Sequence, residues 1–148
     1  MLNDATHSDR PAVLVVDDSP EMRRYLQVLL EMDSYCVETA CNGLEALERL
    51  DQGPTPSVVL LDLEMPGLNG LDTLRQIRRL FPRQKVIICS GWDALEARQQ
   101  ASELGAEAFL AKPVKQLYLS AAIERCLESS GDIGNLVVLP ERAAGTTA

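Results

Sequence analysis

Five polar side chains in this 148-residue chain either follow or close an apolar run. Asp17 and Asp18 follow Ala12–Val16, Asp62 follows Val58–Leu61, Ser90 closes the run that begins at Lys85, and Lys112 follows Ala108–Ala111. Short apolar runs bounded by turn residues read as strands buried on both faces, as in a parallel sheet. The carboxyl ends of such strands open on one edge, where ligands bind, so these side chains can converge on one crevice. Three carboxylates held together repel one another unless a cation joins them. A hard, oxygen-loving ion such as Mg²⁺ suits that donor set. Lys112 adds a fixed positive charge and Ser90 a hydroxyl, both suited to phosphoryl oxygens. A carboxylate can act as nucleophile and form an aspartyl-phosphate. Asp62 is the expected acceptor, with the metal and Lys112 neutralising charge on the transferring oxygens. Taken singly, Asp17 or Asp18 could be a helix cap, Ser90 a turn hydroxyl and Lys112 a solvated strand end. It is their joint placement at carboxyl strand ends that carries the reading.

The elements that must position them follow from periodicity. Ala12–Val16 is the first strand, and Ser19-Pro20 is a helix start, with Ser19 as N-cap and Pro20 at the first helical position. Met22, Leu26, Leu29 and Leu30 form an apolar stripe, with Tyr25 nearby. Tyr35 to Ala40 alternates as an edge strand, Asn42-Gly43 reads as a turn, and Leu44 to Leu50 as a short helix with Ala46, Leu47 and Leu50 inward. After the Asp62 strand, a helix is predicted from Gly70 to Phe81 on Leu71, Leu74, Ile77 and Phe81. Lys85 to Cys89 is the fourth strand. Asp93 can cap a helix that runs to Leu104 and closes on Gly105; its low apolar content marks it as a mobile element. Ala108–Ala111 is the fifth strand, and a last helix from Lys115 to Ser129 buries Leu119, Ile123, Cys126 and Leu127. Five strands alternating with helices predict an α/β, doubly wound parallel sheet covered on both faces. The expected organisation is a disordered segment 1–9, one domain over 10–129, and a stretch 130–148 of a different character. That stretch holds one apolar island, Leu136-Val137-Val138-Leu139, readable as a docking peptide, an extra edge strand or the start of something longer.

Composition excludes several classes. The formal net charge of −8 argues against direct nucleic-acid binding, which needs clustered Lys and Arg. Arg75, Arg78, Arg79 and Arg83 read as a solvated helix face. The four cysteines lack C-x-x-C spacing and define neither a zinc site nor a disulfide framework. No apolar run approaches the ~20 residues that span a bilayer, so no membrane partner and a cytoplasmic location are expected. His7, the only histidine, lies in the polar N-terminal segment and is given no role.

The acidic pair Asp17-Asp18, the loop Asp62-x-x-Met65-Pro66-Gly67, Ser90-Gly91 and Lys112-Pro113 together resemble the response-regulator receiver domain of bacterial two-component signalling over residues 10–129. The resemblance implies a flavodoxin-like (βα)5 sandwich with strand order 2-1-3-4-5. It implies that Asp62 takes phosphate from a phospho-histidine on a sensor histidine kinase or a histidine phosphotransfer protein. Asp17, Asp18, Asp62 and the backbone carbonyl of Glu64 would bind Mg²⁺, Ser90 and Lys112 would contact the phosphoryl group, and Lys112-Pro113 would be cis. Phe109 stands where receivers often carry an aromatic switch with a hydroxyl; it can swing but cannot hydrogen-bond. Glu64 and Trp92, two residues after Asp62 and Ser90, would modulate access of the hydrolytic water. No effector is read after residue 129, so output is expected by contact with a protein target through the 93–129 face, without turnover catalysis. Two alternatives stand beside this: a receiver cut from a hybrid kinase or larger regulator, and a haloacid-dehalogenase-type phosphatase. The latter shares a nucleophile-x-acid motif at Asp62-Leu63-Glu64 but places its nucleophile on the first strand.

Overall fold

The computed structural model describes residues 10–65, 67–91, 95–128 and 137–138. Strands β1 (Ala12–Val16), β2 (Cys36–Ala40), β3 (Val58–Leu61), β4 (Val86–Ser90) and β5 (Ala108–Ala111) alternate with helices. The helices are α1 (Pro20–Met32), α2 (Gly43–Gln52), α3 (Gly70–Leu80), α4 (Leu95–Glu103) and α5 (Gln116–Glu128). A short strand β6 (Val137–Val138) follows, and the sheet order is β2-β1-β3-β4-β5-β6, every neighbouring pair parallel. The expected order 2-1-3-4-5 is present, extended by a sixth strand on the β5 edge. Of the three readings of the apolar island, the edge strand is the one its two central valines adopt. Segment 1–9, Trp92, Asp93 and most of 130–148 lie outside the described residues.

The central strands are buried on both faces because side chains alternate across a sheet. Val13, Val15, Val58, Leu60, Ile87, Cys89, Ala108 and Leu110 pack with Leu26 and Leu30 of α1 and Leu119, Ala122, Ile123 and Cys126 of α5. Leu14, Val16, Val59, Leu61, Val86, Ile88 and Phe109 pack on the other face with Ala46 and Leu50 of α2, Leu74 and Ile77 of α3, and Ala101 of α4. β2 is at the sheet edge as expected, but Glu38 and Thr39, which point to opposite faces, are both exposed, so its exposure does not follow the single wetter face that the alternation implied. Leu127 departs from expectation: it is exposed, and Ala122 takes its place among the buried residues of α5.

Local chemistry sets the helix starts. The Ser19 hydroxyl accepts the Met22 amide at 3.2 Å, with Pro20 at the first helical position. Asn42-Gly43 is not a free turn. Asn42 caps α2 by accepting the Glu45 amide at 2.8 Å, and Glu45 reaches back to accept the Cys41 amide at 2.6 Å, one residue before the N-cap amide that a capping box would use. Gly43 is required for a different reason: a Cβ there would sit 2.1 Å from Thr73 Oγ1, so the missing side chain lets α2 press against α3.

The reading of the arginine group holds for Arg75, Arg79 and Arg83, which are exposed. It fails for Arg78. This guanidinium donates to the carbonyls of Leu104 (2.7 Å), Gly105 (3.1 Å), Gln84 (2.7 Å) and Pro82 (3.1 Å). It thereby joins the end of α3, the approach to β4 and the turn after α4. Gly105, at φ +82°, occupies the left-handed region that this turn requires. Removing Arg78 leaves these carbonyls without their charged donor. Arg78→Met is therefore expected to lower the unfolding free energy by about 2–4 kcal/mol. Arg75→Ala, which loses only the exposed pair with Asp72, should cost less than about 0.5 kcal/mol. Urea denaturation of the two variants checks the contrast.

Candidate functional site

β1 and β3 are neighbours, and their carboxyl ends set the two buried acids side by side. The Asp17 amide donates to Ala40 O at 3.1 Å and the Asp62 amide to Val16 O at 3.0 Å, so both backbones continue the sheet ladder just beyond its assigned strands. Asp17 and Asp62 are 2% and 3% exposed, which makes their ionisation costly without a compensating charge, whereas Asp18 faces solvent. One carboxylate oxygen from each of Asp17, Asp18 and Asp62 lies within 4.8 Å of the others.

Lys112, leaving β5, supplies the compensating charge. Its Nζ donates to Asp17 Oδ2 at 2.8 Å and lies 3.5 Å from Asp62 Oδ1. Asp17 Oδ1 accepts the Ser19 amide at 2.9 Å, and Asp62 Oδ1 accepts the Glu64 amide at 3.2 Å. Arg23 fixes the backbone by donating to Asp17 O at 2.7 Å. Burial pushes the Asp62 carboxyl up to about 6, although the Glu64 amide and the Lys112 charge pull it down; Asp17 adds to the rise. Burial alone would lower the Lys112 ammonium, but its hydrogen bond with Asp17 and the charges of Asp62 and Asp17 raise it. A set of three clustered carboxylates beside one permanent cation suits a hard divalent metal, and its oxygen donors fit Mg²⁺ better than a soft ion.

The other expected residues sit at different depths. Ser90 is fully buried at the end of β4, where its carbonyl accepts the Lys112 amide at 2.8 Å. The Lys112-Pro113 peptide is cis. Beyond it, Val114 O accepts the Tyr25 hydroxyl at 2.7 Å, tying this loop to α1. Glu64 is exposed, yet its carboxylate reaches across the mouth: a Cβ on Gly91 would lie 3.8 Å from both Glu64 Oε1 and Lys112 Cδ. Phe109 is 1% exposed in the apolar cluster shared with α2, α3 and α4. Trp92 lies outside the described residues. Beside Glu64 opens a groove of about 400 Å³ between the β3–α3 loop and α4, lined by Leu63, Asn69, Leu71, Arg75, Ala97 and Gln100. The thiols of Cys89 and Cys126 are pushed up to about 12 by burial, so neither supplies a thiolate here.

Sequence reasoning missed Gly70. A Cβ on it would meet Asp62 O and Leu63 Cα, each at 2.3 Å, and its amide donates to Leu63 O at 3.1 Å. The start of α3 thus rests directly on the backbone of Asp62. The signal that could have found it is a glycine immediately after the N-cap Asn69, a position that rarely needs one.

Comparisons with known proteins agree with this geometry. Residues 13–124 match the family model described as the response regulator receiver domain. The chain is 38% identical over 123 residues to the transcriptional regulatory protein CpxR homolog of Haemophilus influenzae, covering 83% of this chain and 53% of that one. It therefore spans about half the length of that relative. It is 32% identical over 114 residues to the chemotaxis protein CheY of Thermotoga maritima, covering 76% of this chain and 94% of that protein. A crystal structure of a response regulator receiver domain protein from Clostridium thermocellum superposes with a TM-score of 0.75 at 35% identity, covering 79% and 94% of the two chains.

Two outcomes are expected from the packing and electrostatics of Asp62. Gly70→Ala must displace backbone and should cost about 1–3 kcal/mol while shifting the amide resonances of Asp62 to Glu64. Gly91→Ala, which meets only ordinary contacts, should be near neutral. The Asp62 carboxyl rises from 3.8 to about 6 on folding, so the folded chain keeps a proton that the unfolded chain has lost. Stability from this group therefore falls as pH rises between those values, and the full cost is present above about 6. In chelator, Asp62→Asn should be more stable than the parent at pH 7.5 by on the order of 2 kcal/mol, with the gain vanishing near pH 4. Paired thermal melts across that range check the difference.

Proposed function

The chain belongs to the response-regulator receiver family, and on that basis we propose that it is a phospho-accepting switch in two-component signalling, with Asp62 as acceptor. The observation that carries this is the buried pair Asp17 and Asp62 bridged by Lys112 Nζ, with Asp18 completing a three-carboxylate cluster at one sheet edge. A carboxylate oxygen of Asp62 attacks the phosphorus of a phospho-histidine on a sensor histidine kinase or histidine phosphotransfer protein. An O–P bond forms as the P–N bond breaks, the electron pair of that bond stays on the imidazole nitrogen, and the imidazole leaves neutral, its ring protonated from solvent.

Asp17, Asp18, Asp62 and the Glu64 carbonyl would hold Mg²⁺, which when bound neutralises charge on the phosphoryl oxygens. The residues of the chain do the rest. Lys112 Nζ, already 3.5 Å from Asp62 Oδ1, is placed to follow the charge onto a phosphoryl oxygen, and Ser90 at the adjacent strand end offers a hydroxyl. The Glu64 amide holds Asp62 Oδ1 and so orients the carboxylate. Glu64 and Trp92, two residues after Asp62 and Ser90 in the sequence, would regulate the hydrolytic water; Glu64 Oε1 lies 3.8 Å from the position of a Cβ on Gly91, which supports its part. The phosphatase alternative loses ground because Asp62 ends the third strand and the acidic pair ends the first, the reverse of that enzyme's arrangement.

The output is a conformational change read by a protein target on the 93–129 face, with Phe109 as its buried aromatic element. Support comes from α4, whose one buried residue is Ala101 while Leu95 is exposed, so little apolar area holds that helix down. Among the described residues no helix is long and apolar enough to cross a membrane. A cytoplasmic location and the absence of direct nucleic-acid contact are part of the same proposal.

Phosphotransfer profiling with radiolabelled sensor kinases and Mg²⁺ should label the parent chain stoichiometrically and leave Asp62→Asn unlabelled; label surviving that substitution would sink the assignment. Glu64→Asn and Trp92→Ala should each change the lifetime of the acyl phosphate several-fold. Unchanged lifetimes in both would remove them from the access role.

A further inference from the structure

Parallel sheets end in an edge, and an edge presents unpaired amides and carbonyls that invite another strand. Here the edge beyond β5 is covered from within the chain. β6 pairs parallel with β5 in the register Ala108↔Val137 and Phe109↔Val138. The unit β5–α5–β6 is one more strand–helix–strand crossover, with residues 129–136 between Glu128 and Val137. Among the described residues the cover has two rungs, whereas β4 and β5 share four, and Pro140, two positions on in the sequence, has no amide hydrogen to give a ladder. An edge strand held by few rungs can be displaced.

The position of this cover matters. β5 lies between α4 and α5 in the face proposed for output, and one rung is the backbone of Phe109. The same strand runs directly into Lys112, whose Nζ now spans Asp17 and Asp62. A phosphoryl group on Asp62 gives that ammonium new oxygens, and β5 is the segment through which any shift of Lys112 is passed back. β6 matches β5 as it stands in the unphosphorylated chain.

We infer that the β5 edge is a strand-accepting site filled in cis by Val137–Val138, and that this strand is an autoinhibitory cover of the 93–129 face whose hold weakens when Asp62 carries a phosphoryl group. The inference rests on the proposed phospho-acceptor reading for its coupling, though not for the cover itself. Binding free energies are reciprocal, so loss of β6 must favour the phosphorylated form by the same factor by which phosphorylation weakens β6.

The experiment uses the full chain and its double variant Val137→Asp/Val138→Asp, with hydrogen exchange read on a peptide spanning β5. In the metal-free state the variant is expected to exchange several-fold faster over Ala108–Ala111 than the parent, with β1 and β3 unchanged. A synthetic peptide of residues 133–141 added in trans should restore protection to the variant and leave the parent unaffected. Equal exchange in the two chains, or no response to the peptide, would overturn the cover. With Mg²⁺ and beryllium fluoride as phosphoryl mimic, the variant should bind the mimic several-fold more tightly, and the mimic should speed β5 exchange in the parent. Equal affinities would overturn the coupling. Failure of either chain to bind the mimic would strike the phospho-acceptor reading and with it the coupling, leaving the exchange result to judge the cover separately.

Discussion

The structure depends on one charge balance. Two carboxylates at adjacent strand ends are almost completely buried, and burying a charge without a partner is costly. Lys112 meets both, at 2.8 Å from Asp17 and 3.5 Å from Asp62. The balance is unequal. Asp17 is engaged on both oxygens, by Lys112 and the Ser19 amide, whereas the Lys112 and Glu64 contacts of Asp62 both fall on Oδ1. Burial outweighs those contacts and holds the Asp62 carboxyl near 6. Asp62 is thus the less satisfied of the pair, the one for which a metal ion or a phosphoryl group changes most.

Strand ends can hold such a balance only if their backbones do not move. The sheet ladders that continue through Asp17 and Asp62 are one restraint, and the contact of Gly70 on Asp62 and Leu63 is another. Gly43 against Thr73 has the same role in the adjoining layer, locking α2 onto α3. The opposite holds for α4, which buries Ala101 and is tied at its C-terminal turn through the carbonyls that Arg78 collects. At its other end Leu95 is exposed. The fold therefore has a rigid half that sets geometry and a lightly held element that can report on it.

This division explains what the sequence disclosed. The strands and the acids at their ends are legible because an apolar run closed by a polar residue is a local signal with period and boundary. Ser19-Pro20 is legible for the same reason. Asn42-Gly43 misleads because an Asn-Gly pair serves both a turn and an N-cap followed by a close helix contact, and only the neighbouring Thr73 distinguishes them. Arg78 looks like Arg75 and Arg79 because helical spacing places a residue on a face but does not show what lies beyond the helix end. Its acceptors are separated from it by as many as 27 positions. β6 is legible as an apolar island, yet its pairing is a long-range choice that so short a run does not reveal.

β5 is where the two halves meet. Its last residue leads into Lys112 at the acids, its Phe109 side chain is packed in the cluster shared with α3 and α4, and its outer edge carries β6. Close-packed interiors do not deform continuously, so a strand held on these three sides shifts as a unit or stays. A ligand that interacts equally with both positions of β5 would change nothing, however tightly it bound. In the proposed switch Lys112 would supply the required difference, because its ammonium now meets the carboxylates of Asp17 and Asp62 and would turn to the oxygens of a phosphoryl group, with Phe109 and the β5 edge on the same strand to register the change.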